Sequence, residues 1–345
     1  MLPPSPQVTG INGFLGAHIV DQLVKANYRV RGTVRSARLD FVRQSNTIYG
    51  SDVEVIAADD LAFGDFTDAL KGVDGVIHAA APLIGKESPE QALTTSIEGA
   101  LNILRQAEKA GIKRFVLVSS LLTVKTIGDP APVYTDEDWV ETTREKALAS
   151  NDPTFVYVSE KVLAERAVWE FAEKHPNIDV TSVNPPFFLG PFAPNFRFTE
   201  GRIGEMSTNV LAYTLLNPTG KPFVPLMLTI DVRDVARATV KGLTSPLTAE
   251  VGRRKRLLFL PHVVSWKDCA THIAQERPEL RDRVSKPALN GEFPDAPPRG
   301  PVDNSRAVEV LKLGQLNDWK TTLLAAVDSI VKAEKNLAKE GKSFH

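Results

Sequence analysis

The sequence predicts an α/β protein: a doubly wound parallel sheet with a smaller, mixed C-terminal lobe. Three observations carry this. Near the start, a glycine-rich turn, Gly10-x-x-Gly13-x-x-Gly16, joins a strand end to an amphipathic helix. Short apolar runs then alternate with helical patterns as far as residue 184. Beyond Pro191 the elements shorten, and proline and glycine become frequent. The expected division places residues 1–184, continued by 222–245, in the doubly wound core. Residues 185–221 and 246–345 would form the second lobe.

Composition excludes several classes. A chain of 345 residues with 43% hydrophobic and 24% charged residues can bury a large core. Its net charge of −1 gives no electrostatic reason to bind nucleic acid or an anionic membrane. No apolar run reaches the length of a membrane span. The opening Met1-Leu2-Pro3-Pro4-Ser5-Pro6 lacks the basic and apolar regions of a signal peptide, so a cytoplasmic protein is expected. The single Cys269 allows no intrachain disulfide. The histidines are scattered without metal-ligand spacing, and no metal is expected.

Taken in order, the elements suggest a nucleotide crevice. Val8-Thr9 ends the first strand. Gly10, Asn12, Gly13, Phe14, Leu15 and Gly16 then make the turn into a helix, whose N–H groups a pyrophosphate could approach. The spacing is not the commoner Gly-x-Gly-x-x-Gly, and a purely structural turn is the alternative. The second strand, Tyr28–Val34, runs into Arg35, with Arg38 close behind. An acid at that position favours NAD, whereas arginine accepts the 2′-phosphate of NADP(H). After the strand Val53–Ala58 come Asp59, Asp60 and Leu61, where an acid could accept from an adenine amino group or simply cap a helix. The apolar strand at Gly75–His78 ends in Ala79-Ala80, small enough to let phosphate and ribose lie against the backbone. His78 is read as a packed histidine without chemistry. A helix over 89–110 leads to the strand Arg114–Val118 and to Ser119-Ser120, at the strand end where such sheets bind ligands.

Residues 121–153 read as an irregular surface loop carrying the acidic run Asp136-Glu137-Asp138. The next helix carries Tyr157 and Lys161, four residues apart and therefore on one face. An ammonium beside a phenol should lower its pKa from the usual value of about 10 and make it a proton donor nearer neutrality. The pair alone is weak evidence, because the spacing recurs by chance; with Ser120 in the same sheet it completes a set of donors. A strand over Asp179–Asn184 ends in Pro185-Pro186-Phe187-Phe188. Further elements are a helix starting at Asp231, a strand over Arg256–Leu260, helices over Trp266–Gln275 and Trp319–Lys339, and an extended proline-rich loop over 285–301.

These pieces resemble the extended short-chain dehydrogenase/reductase superfamily. The branch they are most similar to holds the plant dihydroflavonol and cinnamoyl-CoA reductases and the yeast and fungal methylglyoxal/aldehyde reductases. The resemblance rests on Thr9-Gly10-x-x-Gly13-Phe14-x-Gly16, Val30-Arg31-Gly32-Thr33-Val34-Arg35, His78-x-Ala80, Ser119-Ser120, Tyr157-x-x-x-Lys161 with Ala164-Glu165, Asn184-Pro185, Gly190-Pro191 and Asp231–Ala236. It implies a Rossmann core in which Ser120 orients a carbonyl, Tyr157 donates the proton and Lys161 bonds the nicotinamide ribose. By the same resemblance NADP(H) is held by the glycine turn, Arg35, Arg38, Asp60, Leu61, Ala79, Ala80, Ser119 and Pro185. The chain departs from the plant enzymes at Val156-Tyr157-Val158-Ser159, where cinnamoyl-CoA reductases carry Trp-Tyr-Cys-Tyr, and at Lys125, where dihydroflavonol reductases carry asparagine. Ser5-Pro6-Gln7-Val8 also replaces the usual apolar first strand.

The expectation is an NADPH-dependent reductase of aldehydes, ketones or keto esters, as a monomer or homodimer. Its apolar pocket would be lined by Leu83, Ile84, Leu121, Leu122, Phe187 and Phe188. A tailoring reductase for a larger metabolite, a nucleotide-sugar epimerase or dehydratase, and a non-catalytic NADP sensor are the rival readings.

Overall fold

The protein is described from a computed structural model over residues 5–82, 87–124, 133–198, 201–224, 227–293 and 301–344. Among these residues ten strands form two sheets. Seven make the large sheet: β1 (Pro6–Thr9), β2 (Val30–Val34), β3 (Val53–Ala57), β4 (Gly75–His78), β5 (Arg114–Val118), β6 (Asp179–Asn184) and β9 (Lys255–Leu258). Their order is β3-β2-β1-β4-β5-β6-β9, and every pairing is parallel. The winding reverses between β1 and β4, which opens a crevice at the strands' C-terminal ends. Proline is tolerated in this central position because Pro6 is the first residue of β1, where a missing donor costs least.

Both faces of the sheet are covered by helices, so strand residues on either side are buried. On one face Val8, Ile77, Val116 and Val183 pack against helix Phe14–Lys25, through Ile19 and Leu23, and against helix Val232–Gly242, through Val235 and Ala238. On the other, Phe115 and Leu117 pack against helix Pro89–Lys109, through Ile103 and Leu104, and against the tyrosine helix Pro153–Lys174, through Val168 and Trp169. The starts of these helices are written in the sequence. Ser88 and Asp152 each cap the helix with their side chains, and each is followed by proline at the first helical position.

The small sheet has the order β10-β8-β7, from β7 (Phe187–Leu189), β8 (Met227–Asp231) and β10 (His262–Val264). It packs with helices Trp266–Glu276 and Trp319–Lys339 around a second core that contains Trp266, Ile273, Leu323, Val327 and Ile330. The division of the chain differs from the expected one. β8, from the segment assigned to the core, lies in the small sheet. β9, from the segment assigned to the second lobe, closes the edge of the large one. Short apolar strands carry no mark of which sheet they join, because pairing partners are set by tertiary packing.

The residues around 133–140 are not a solvated loop. Tyr134 is fully buried and bridges to Val302, and Asp136 is buried against Arg253 at 2.7 Å. β9 carries adjacent cations on opposite faces of the sheet, as strand alternation requires. Lys255 reaches Asp179 at 2.5 Å and Ser245 at 2.9 Å, while Arg256 reaches Glu165 on the tyrosine helix at 3.0 Å.

Candidate active site

The crevice has a backbone side and a side-chain side. On the backbone side Gly13 precedes helix Phe14–Lys25, and no side chain caps that helix, so its first N–H groups face the opening. Gly10 adopts φ +71, and a Cβ there would lie 3.0 Å from the Ala80 backbone. A Cβ on Gly16 would lie 2.1 Å from the Gly10 carbonyl oxygen. The two strand ends flanking the reversal are thus as close as backbone allows. The side chains of Phe14 and Leu15 point away into the core: Phe14 stacks on Phe188 at 6.0 Å and meets Phe192 edge-on at 5.6 Å. Only their backbone groups can serve a ligand, whereas Asn12 is exposed at the mouth.

Thr9 fastens this arrangement, a role the sequence did not disclose. Its hydroxyl oxygen accepts from the Ala79 and Ala80 N–H groups, both at 3.0 Å. With its acceptor capacity so used, it donates its proton to His78 Nδ1, 3.0 Å away. Burial, with the Lys161 charge adding to it, pushes the His78 pKa down to about 3. His78 is therefore neutral and structural, as expected of it.

At the outer rim Arg35 is exposed and Arg38 half-exposed, and the Arg35 charge lies near enough to act on the Asp59 carboxylate. The two arginines flank Ser36, whose N–H and hydroxyl both donate to Asp59, at 2.7 and 2.5 Å. Those bonds hold the Asp59 carboxyl below its ordinary range. Asp60 is exposed and accepts from the Ala62 and Phe63 N–H groups through Oδ1. Leu61 is half-buried over Gly99.

On the side-chain side, the structure brings Ser120, Tyr157 and Lys161 together. Ser120 follows β5, and its hydroxyl accepts from the Leu122 N–H at 3.1 Å. The same hydroxyl is near enough to the Tyr157 phenol to favour its ionised form. The Lys161 ammonium lies 5.9 Å from the Tyr157 ring centre. The expected direction of the tyrosine's shift is overturned. Burial, reinforced by the Glu160 charge, raises the Tyr157 pKa to about 12, and the nearby Ser120 hydroxyl offsets only part of this. The lysine yields instead: burial lowers it to about 8, against the pull of Glu160 and Glu165. Loss of water, with the Glu160 charge behind it, thus favours the protonated phenol.

Behind the triad lies a second feature absent from the sequence reading. Glu165 and Arg256 form a buried ion pair, 0% and 1% exposed. The Ser119 hydroxyl donates to Glu165 at 2.7 Å, so that group is turned from the crevice into the protein. Pro185 is buried, and its carbonyl accepts from the Leu121 N–H at 2.8 Å.

The anticipated pocket is only partly assembled. Leu83 and Ile84 lie outside the described residues. Leu121 is 1% exposed in a small core with Val124, Tyr134 and Leu258, so it is framework and not a wall. Its one-turn 3-10 helix aims it inward, a geometry that apolar character alone does not reveal. Leu122 is half-buried against Val140, Val158 and Val162. Phe187 and Phe188 are half-buried where the two lobes meet. A hollow beside Lys161 is lined by Ala80, Ala81, Ser96, Ser119 and Ala164. A wider groove of about 460 Å³ beside β3 is lined by Arg43, Asn46 and Glu54 and is remote from these groups.

Residues 7–254 match the family described as NAD dependent epimerase/dehydratase. An uncharacterized oxidoreductase of Schizosaccharomyces pombe is 33% identical over 291 residues, covering 81% of this chain and 84% of that protein. The ketoreductase azaE of Aspergillus niger is 30% identical over 340 residues, covering 94% and 96%. Yeast methylglyoxal/isovaleraldehyde reductase, solved in complex with NADPH, matches the fold with a TM-score of 0.81 at 24% identity, over 96% of this chain and 99% of that one. The parallel sheet, the glycine turn at its reversal point and the extent of these matches make the chain a member of the NAD-dependent epimerase/dehydratase family, the extended short-chain dehydrogenases/reductases.

Proposed function

We propose that the protein is an NADPH-dependent carbonyl reductase that converts aldehydes, ketones or keto esters to alcohols. The observation that carries this is the convergence of the Ser120 hydroxyl and a protonated Tyr157 phenol beside Lys161, next to an uncapped helix N-terminus. NADPH suits the backbone cradle at Gly10 and Gly16, which are packed too closely against Ala80 and the Gly10 carbonyl to carry a Cβ, and the rim cations Arg35 and Arg38 suit a 2′-phosphate. Held there, NADPH would supply the hydride for the carbonyl carbon. Ser120 and Tyr157 hold the carbonyl oxygen by two hydrogen bonds, and Tyr157 passes its proton to that oxygen as negative charge develops there. Lys161, charged below about pH 8, stabilises the phenolate that remains. The relatives' reactions point the same way: azaE is a ketoreductase, and the yeast structural neighbour is a methylglyoxal/isovaleraldehyde reductase complexed with NADPH.

The apolar neighbours Leu122, Phe187 and Phe188 favour hydrophobic carbonyl compounds over sugars. The test is oxidation of NADPH and of NADH with isovaleraldehyde, methylglyoxal and ethyl acetoacetate. Turnover with NADPH is expected. No consumption of either cofactor, or interconversion of a nucleotide sugar without net cofactor change, overturns the reading.

A further inference from the structure

The buried charges behind the triad have no place in hydride or proton transfer, yet they touch every element that carries it. Glu165 lies one helical turn after Lys161 and is fully buried. Its carboxylate accepts five hydrogen bonds. Ser119 Oγ at 2.7 Å and Asn184 Nδ2 at 2.8 Å reach Oε2; Ser182 Oγ at 2.8 Å, Arg256 Nε at 3.0 Å and Trp169 Nε1 at 3.3 Å reach Oε1. Arg256 spends its remaining donors on the chain that follows Ser120. Nη2 donates to Thr123 Oγ1 at 2.7 Å, and Nη1 donates to the Asp136 and Asp138 carbonyls at 2.9 and 2.6 Å. The guanidinium also lies 3.7 Å from the Trp139 ring centre. The two networks meet at the Ser120 carbonyl, which accepts from Thr123 Oγ1 at 2.8 Å and from Asn184 Nδ2 at 3.3 Å. The tyrosine helix, the end of β5, the end of β6 and β9 are thus joined through one ion pair.

We infer that Glu165 and Arg256 are positioning residues of the reaction: the pair fixes the tyrosine helix against the Ser119-Ser120 strand end and so sets the Ser120–Tyr157–Lys161 geometry. A purely stabilising pair would need neither the specific tie to Ser120 nor its place one turn from Lys161. β9 supplies the contrast in the adjacent residue, since Lys255 bonds Asp179, Ser245 and the Pro246 carbonyl at the strands' opposite end, far from the site. Misplacing reacting groups by about 1 Å costs roughly 10²-fold in rate, so a strut of this kind is visible in kcat.

The inference rests on the reductase reading, and the experiment separates the two. Wild type, Tyr157→Phe, Glu165→Gln, the double variant Glu165→Gln/Arg256→Met and Lys255→Met are compared. The measurements are Tm, NADPH affinity by fluorescence titration, kcat with the better of isovaleraldehyde and ethyl acetoacetate, and the alkaline limb of kcat. The double variant removes both charges, so that neither is left buried alone. The expected result is a kcat lower by roughly 10- to 100-fold in Glu165→Gln and in the double variant, with NADPH affinity retained. The groups facing Lys161 are Tyr157, Glu160, Glu165 and, from β4, His78. Removing the Glu165 charge should therefore move the alkaline limb to lower pH, which loss of fold stability alone would not do. Lys255→Met should lower Tm and leave kcat and the limb in place. Wild-type kcat and an unmoved limb in folded Glu165→Gln overturn the inference. So does a Lys255→Met variant that loses kcat and shifts the limb equally. An unimpaired Tyr157→Phe overturns the reductase reading itself.

Discussion

The two sides of the crevice are built by different means. The proposed nucleotide side is backbone: Gly10 and Gly16 matter because they lack side-chain bulk, and one Thr9 hydroxyl accepts from the neighbouring Ala79 and Ala80 N–H groups. The proposed carbonyl side is side chain: Ser120, Tyr157 and Lys161 would matter for their polar ends, and a buried ion pair lies behind them. Recognition by backbone tolerates no added atoms. Chemistry by side chain tolerates no lost ones. Substitutions on the first side should thus fail in binding, and those on the second in turnover.

The sharpest test of that contrast is Tyr157→Phe. It should lower kcat by about 10²- to 10⁴-fold, the usual contribution of a positioned proton donor, while NADPH still binds in a fluorescence titration. Gly16→Ala should do the reverse. Its Cβ would lie 2.1 Å from the Gly10 oxygen, and the strain, about 1–3 kcal/mol, should appear as lost cofactor affinity. Arg35→Ala should weaken NADPH by roughly 10-fold or more, the worth of a charge-assisted bond, and leave NADH almost untouched; equal losses for both cofactors would remove the 2′-phosphate from its account. The pH profile gives a smaller effect. Lys161 loses its proton as pH rises through about 8, whereas Tyr157, held near 12, does not. Turnover should fall above that point along a single limb. The smallest effect is on stability. His78 stays neutral in the fold down to about pH 3 but takes a proton near 6.5 when unfolded. Its contribution is present above pH 6.5 and declines by up to about 1.4 kcal/mol per pH unit below it. Urea unfolding of His78→Asn should show a shallower acid slope.

The same contrast explains what could be read from the amino-acid order. Glycine spacing, capping serine and aspartate, and apolar runs are local signals. They mark the turn at Gly10–Gly16, the helix starts at Ser88 and Asp152, and the strands around Val116 and Val183. The Tyr157–Lys161 spacing is local too, and it identifies the pair. The direction of the tyrosine's shift is not local, because it depends on how much water the fold removes. Arg256 and Glu165 stand 91 positions apart, and an arginine beside a run of leucines gives no sign that it will be buried. Leu121 misleads for the converse reason: apolar character does not tell a pocket wall from framework. Which sheet β8 and β9 join is not local either, since it is decided by distant partners.

In β9, Lys-Arg-Leu-Leu has no alternation of polar and apolar residues by which to choose a frame. A slip by one residue would exchange the two faces and carry both cations away from their carboxylates, leaving Lys255, Arg256 and Glu165 buried without their charge partners, although Asp179 would keep Arg114. The last strand of the large sheet is thereby kept in step by charge and not by oiliness, and the edge it forms has a single admissible docking frame.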